Sequence, residues 1–224
     1  MKHVKLFEAF STQSLTEDQK IWLDKCAKGG WNLNPSTGLV DVDGDFKCTG
    51  QGLKDFKGVA FGHVKGYFNC YYNQLTSLDG APKTVGGYFG CDKNQLTSLE
   101  GAPKTVGGVF DCNNNQLTTL EGAPQTVDRG FFCEGNQLTS LDGAPKTVGG
   151  GFYCEANPIS ERTLASIFKI MKNGKSYQQA LEEFWSKMGH EERALMYKDH
   201  SSLTPEELRK YQALGTVNRI KGYL

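Results

Sequence analysis

The chain repeats itself every 21 residues, and this period constrains its fold more than any other feature. Cys70, Cys91, Cys112, Cys133 and Cys154 are spaced by 21, and Asn73, Asn94, Asn115, Asn136 and Asn157 keep the same step. So do Phe68, Phe89, Phe110, Phe131 and Phe152, and Leu75, Leu96, Leu117, Leu138 and Ile159. Four columns held in register over five copies define a solenoid. A diverged copy precedes them: Phe46 and Cys48 lie 22 residues before Phe68 and Cys70, and Leu53 and Phe56 match Leu75 and Leu78. The solenoid is expected over 44–159, in about six coils.

Within Tyr67-Phe68-Asn69-Cys70-Tyr71 the Phe and Cys alternate with variable residues, the period of a strand with one face buried. Asn73 follows where the chain leaves the strand, and a buried amide there can satisfy backbone groups that a turn leaves free. Leu75, Leu78 and Val85 return apolar atoms to the core. Gly80-Ala81-Pro82 breaks any helix, so the return leg reads as extended. Gly86-Gly87 is expected to supply positive φ before the next strand. Asp128-Arg129 replaces that pair in one coil, so either the turn needs no positive φ or Asp128 adopts it at a cost.

The pattern Phe-x-Cys-x-x-Asn-x-Leu-x-x-Leu resembles the leucine-rich repeat, with Phe and Cys in two of its leucine columns. More narrowly, units of the form Asn-Gln-Leu-Thr-Ser-Leu-Glu-Gly-Ala-Pro-Lys-Thr-Val-Gly-Gly (residues 94–108), between a helical lead-in and a helical tail, resemble uncharacterised leucine-rich-repeat proteins of tailed bacteriophages. Residues 1–13 resemble leaders found on other phage proteins. The fold class this implies is an α+β repeat: a leucine-rich-repeat-like solenoid with one parallel sheet, an N-terminal helical cap and a C-terminal helical module. The resemblance implies no activity.

The ends fit that division. A solenoid exposes its core at both ends unless something covers it. Residues 14–43 read as a capping helix and first strands. Thr16 and Gln19 form a capping-box pattern, Leu15, Ile21, Trp22 and Cys26 line one face, and Gly29-Gly30 is expected to stop the helix. After Asn157 only four glycines and no cysteine remain. Residues 160–224 read as a helical module, with helices starting near Ser160, Ser176, Glu191 and Thr204; Thr204-Pro205-Glu206-Glu207 is a strong helix start.

Most chemical signals dissolve on inspection. Equivalent cysteines in adjacent coils stand about 4.8 Å apart with parallel side chains, whereas a disulfide needs converging Cβ atoms about 3.8 Å apart. Zinc needs four converging ligands, and no such spacing occurs. The cysteine column therefore reads as a packing ladder in a reducing compartment. Asp41-Val42-Asp43-Gly44-Asp45 has its glycine in the wrong place for an EF-hand, and Gly174-Lys175-Ser176 lacks the first glycine of a phosphate loop. Some bacterial repeat proteins carry a C-terminal ubiquitin-ligase module with a cysteine nucleophile; residues 155–224 contain none. Only His190, Glu191, Glu192 and His200 offer a polar cluster for an enzyme. No catalytic residue, metal or cofactor is assigned.

What remains is the outward side of the strands. One column reads Tyr67, Tyr88, Val109, Gly130, Gly151; the next Asn69, Gly90, Asp111, Phe132, Tyr153; the third Tyr71, Asp92, Asn113, Glu134, Glu155. These vary while the inward columns stay fixed. The expected protein-binding residues are Tyr67, Asn69, Tyr71, Tyr88, Asp92, Asp111, Asn113, Phe132, Glu134, Tyr153 and Glu155: aromatics of the kind that dominate interfaces, with acids between them. With 25 basic and 25 acidic residues and no apolar run of membrane length, neither nucleic acid nor membrane is an expected partner. The expectation is a non-catalytic, cytoplasmic protein, a monomer or weak homo-oligomer, binding a host or phage protein. The alternative is a virion-associated structural or packaged protein.

Overall fold

The computed structural model describes residues 14–154 and 156–159. The leader assigned to 1–13, the helical module assigned to 160–224 and the candidate Glu155 lie outside the described residues. Helix α1 (Glu17–Cys26) opens with the capping box: the Thr16 hydroxyl accepts the Gln19 amide, and the Gln19 side chain accepts the Thr16 amide. Short strands follow: β1 (Ala27–Lys28), β2 (Trp31–Leu33), β3 (Val40–Val42), β4 (Asp45–Lys47) and β5 (Phe61–Val64). From there strands of two residues alternate, β6 (Phe68–Asn69), β7 (Thr84–Val85), β8 (Phe89–Gly90), β9 (Thr105–Val106) and β10 (Phe110–Asp111). The last are β11 (Thr126–Val127), β12 (Phe131–Phe132), β13 (Thr147–Val148) and β14 (Phe152–Tyr153).

These strands wind into a parallel β-solenoid of about five turns with two sheets, not the single sheet expected. The first sheet runs β1-β4-β6-β8-β10-β12-β14 and the second β13-β11-β9-β7-β5-β3-β2. Pairing along each is parallel with equivalent repeat positions in register, Phe110 on Phe131 and Val106 on Val127; only the two terminal strands, β1 and β2, pair antiparallel. The second sheet exists because the extended return leg carries its own free amides, which bond the neighbouring coil: Lys104 N to Lys83 O, Gly107 N to Val85 O. Each of its later strands is only Thr-Val, with Val inward, too short to show a period of two. The extra residue in the 22-residue step is absorbed in β5, whose register against β3 shifts between Val40 and Val42.

The inward columns form three ladders. The Phe rings stack with centroids 5.3, 5.6, 5.2, 5.3 and 5.1 Å apart from Phe46 to Phe152. Each Asn amide stitches two coils. Asn115 Nδ2 donates to Cys91 O and Cys112 O at 3.1 Å, and its Oδ1 accepts Leu96 N at 3.0 Å. None of the cysteines is in a disulfide, and the thiols of Cys70, Cys91, Cys112 and Cys133 donate to the next coil's carbonyls, Cys112 Sγ to Phe132 O at 3.2 Å.

Helix α1 seals the first coil through buried Trp22, Leu23 and Cys26. The Trp22 ring stands edge-on to Phe46 at 5.3 Å. Ile21, expected on the apolar face, is 64% exposed; Leu23 takes that place. Gly29-Gly30 does not end the helix, which stops at Cys26; with φ of 96° and 95° the pair turns the chain from β1 into β2. The glycine pairs at the later corners also differ from expectation. Gly86, Gly107 and Gly149 do not have positive φ, and a Cβ on each would overlap the carbonyl oxygen of Lys65, Gly86 and Asp128 respectively. Close approach, not handedness, marks these glycines, although Asp128 makes the equivalent bond, its amide on Val106 O at 3.0 Å, while carrying a side chain, so the corner does not strictly require glycine.

Candidate protein-interaction face

The left-handed turn of each coil sits at the other end of the first sheet's strands. Gly50, Tyr72, Lys93, Asn114, Gly135 and Ala156 all have φ between 51° and 65°. From Tyr72 onward this residue is followed by the inward Asn, with Phe and Cys of the strand pointing into the core and the residues beside them pointing out.

The outward residues form three linked groups. At one end Tyr67, 49% exposed, lies across Gly87 of the next coil; Asn69 Oδ1 accepts the Tyr71 amide at 3.3 Å. In the middle the Tyr88 ring lies back over Gly90, and its hydroxyl donates to Asp111 Oδ2 at 3.3 Å. Asp111 Oδ1 accepts the Asn113 amide at 3.0 Å, and Asn113 in turn holds the Glu134 amide at 2.6 Å and donates to Glu134 Oε2 at 3.2 Å. At the far end Phe132 and Tyr153 stack at 4.5 Å, lying over Gly130 and Gly151. Three coils thus pair one aromatic with one glycine in the same strand, and the glycine gives the ring room to lie flat.

Burial shapes the electrostatics of the middle group. It pushes the Asp111 carboxyl up to about 6, with the nearby Asp92 charge adding to the effect and the Asn113 amide and Tyr88 hydroxyl opposing it. Asp92 is raised by burial too, against its backbone hydrogen bond and the Lys93 charge. The Tyr88 hydroxyl is held well above its ordinary value by burial and then by the Asp111 and Asp92 charges. Among the described residues no Lys or Arg forms a salt bridge with Asp92 or Asp111; the two ion pairs found are Lys20–Glu17 and Lys65–Asp43.

Reactive groups are scarce among the described residues. Burial raises the Cys48 thiol and drives those of Cys70, Cys91 and Cys112 far above their ordinary value, so these four are poor sources of a thiolate nucleophile. The aspartates of 41–45 do not converge. Asp41 accepts the His63 amide, Asp45 accepts the Tyr67 amide, and Asp43 pairs with Lys65 at 2.7 Å. No group of three His, Cys, Asp or Glu is placed to hold a metal, and no helix is long and apolar enough to cross a membrane, among the described residues.

Two residues missing from the sequence-based set belong beside it. Tyr72 is 62% exposed, and the Lys93 ammonium stands 5.5 Å above its ring. Their column varies from coil to coil as the others do. The presence of Asn and Gly in it was the available sign of a left-handed corner facing outward. No protein-family model matches the chain, and no curated protein and no solved structure matches it either.

Proposed function

We propose that this chain is a non-catalytic protein-binding solenoid of the leucine-rich-repeat kind, a phage accessory protein that engages a host or phage protein through the outward side of its first sheet. The observation that carries the reading is where the coils differ. The stretch from the Asn to the Thr-Val strand is nearly constant, as in residues 94–106 and 115–127. The outward strand positions hold Tyr-Asn-Tyr, Tyr-Gly-Asp, Val-Asp-Asn and Gly-Phe-Glu in successive coils. Copies of one unit that diverge on a single surface suit a face shaped by a partner. Exposed aromatics among acids are the composition of such a surface.

The test is affinity capture from bacterial cells with and without phage infection, using the tagged chain beside a variant carrying Tyr71→Ser, Asp92→Ser, Phe132→Ser and Glu134→Ser. A prey lost with the variant, whose circular dichroism stays that of the parent, is the expected result. Equal capture by both baits would remove this face from the interaction.

A further inference from the structure

Resting on that protein-binding reading, we infer that the middle of the face, between Tyr88 and Asn113, docks a basic segment of the partner and takes an Arg or Lys side chain against Asp92 and Asp111. Charge complementarity is the first argument. Both carboxylates are half-buried on adjacent coils, and neither has a salt-bridge partner among the described residues. Asp111 Oδ2 is met by the neutral Tyr88 hydroxyl, and the Lys93 ammonium acts on both only through space, lying on the Tyr72 ring. A carboxylate partly withdrawn from water gains more from an arriving cation than a fully solvated one.

The surroundings favour the same occupant. Tyr88 bonds Asp111 through its hydroxyl, Tyr71 holds the position equivalent to Asp92 in the preceding coil, and a neighbouring ring, Tyr72, already carries a cation, Lys93, on its face. A guanidinium can bond carboxylates along its edge while its plane rests on a tyrosine. Nucleic acid and acidic peptides would meet repulsion here.

The inference also fixes a direction with pH. The titratable and charged groups around Asp111 are Asp92, Lys93 and Tyr88, with the Cys91 and Cys112 thiols beneath it and Glu134 reached through Asn113. Of these, Asp111 titrates near pH 6, so docking a cation expels its proton and binding weakens as pH falls below that value.

The experiment is an NMR titration of the full chain with acetyl-Gly-Arg-Gly-amide, with acetyl-Gly-Glu-Gly-amide and calcium chloride as separate arms. Saturable shifts at the Gly90, Asp92, Asp111 and Asn113 amides with the Arg peptide alone are expected. They should be at least threefold weaker at pH 5 than at pH 7.5, and lost in the Asp92→Asn, Asp111→Asn variant. No saturable shifts, equal shifts with the Glu peptide, a response to calcium, or shifts that survive in the variant would each overturn the inference. A captured partner that leaves this stretch untouched and seats elsewhere on the face would overturn it while leaving the protein-binding reading intact.

Discussion

The two sheets are made by the same repeat, yet from β7 onward the second keeps its outward residues nearly constant while the first changes them from coil to coil. Along the second sheet Thr84, Thr105, Thr126 and Thr147 face outward, preceded by Lys83, Lys104, Gln125 and Lys146. Along the first no two coils present the same outward residues. Both sheets ask the same of the chain: one inward side chain per short strand and backbone bonds to the coils on either side. Their outer positions are equally free of structural demand. Duplication alone would leave them equally uniform. The contrast therefore separates residues that the fold requires from residues that it does not, and it should appear as a separation in energy.

The largest effect is expected between two asparagines of one coil. Asn115→Ala leaves the buried Leu96 amide without its acceptor and takes one bond each from Cys91 O and Cys112 O, which keep those from Asn94 and Asn136. We expect a loss of about 2–4 kcal/mol in urea-unfolding stability, from roughly 1–3 kcal/mol for the stranded amide and about 1 kcal/mol for the bonds lost at the two carbonyls. Asn113→Ala, two residues away on the outer side, gives up only its bonds to Glu134 and should cost about 1 kcal/mol. Equal losses would break the comparison.

The inward ladders were the legible part of the sequence, because a solenoid forces each column to repeat and repetition is visible without coordinates. Phe68, Cys70, Asn73 and Leu75 announce their burial by recurring. The second sheet was hidden in Thr84-Val85, since two residues cannot display a period of two. The corner glycines are hard to tell apart in sequence for a related reason. Gly86 and Gly80 look alike in sequence, yet Gly80 has φ of 88° and Gly86 is small only to pass Lys65 O. On the face, the columns could be read but not the contacts. That Tyr88 folds over Gly90 toward Asp111 depends on packing between adjacent coils, which no single unit encodes.

A smaller effect should sharpen the contrast by reversing its sign. The Asp111 pKa of about 6 lies above the roughly 4 of an unfolded aspartate, so the folded chain keeps a proton that the unfolded chain loses between those values. Stability should therefore fall as pH rises from about 4 to about 6 and stay lowered above. Asp111→Asn should remove that decline and raise stability at pH 7 by about 1 kcal/mol, a figure reduced for the solvent that still reaches the group. Urea unfolding of both chains at pH 4.5 and 7 checks it. A destabilised variant would mean that Asp111 holds the fold together instead of serving its surface.

The smallest effect concerns the corner where inside meets outside. Lys93 has φ of 51°, a conformation that costs a side chain with a Cβ roughly 1 kcal/mol, while the same corner is made by Gly50 and Gly135 elsewhere. Lys93→Gly relieves that strain, makes the unfolded chain more flexible and gives up the contact with the Tyr72 ring. The balance should leave the protein more stable by about 0.5 kcal/mol in thermal or urea unfolding. If the variant is instead destabilised by more than the loss of one exposed cation–ring contact, about 0.5–1 kcal/mol, Lys93 is required by the coil and belongs with the inward columns. If it is stabilised, the non-glycine residues at Tyr72 and Lys93 stand against the local preference of the backbone. They then share the property that distinguishes the first sheet's outer side from the second's: residues present there that the fold does not ask for.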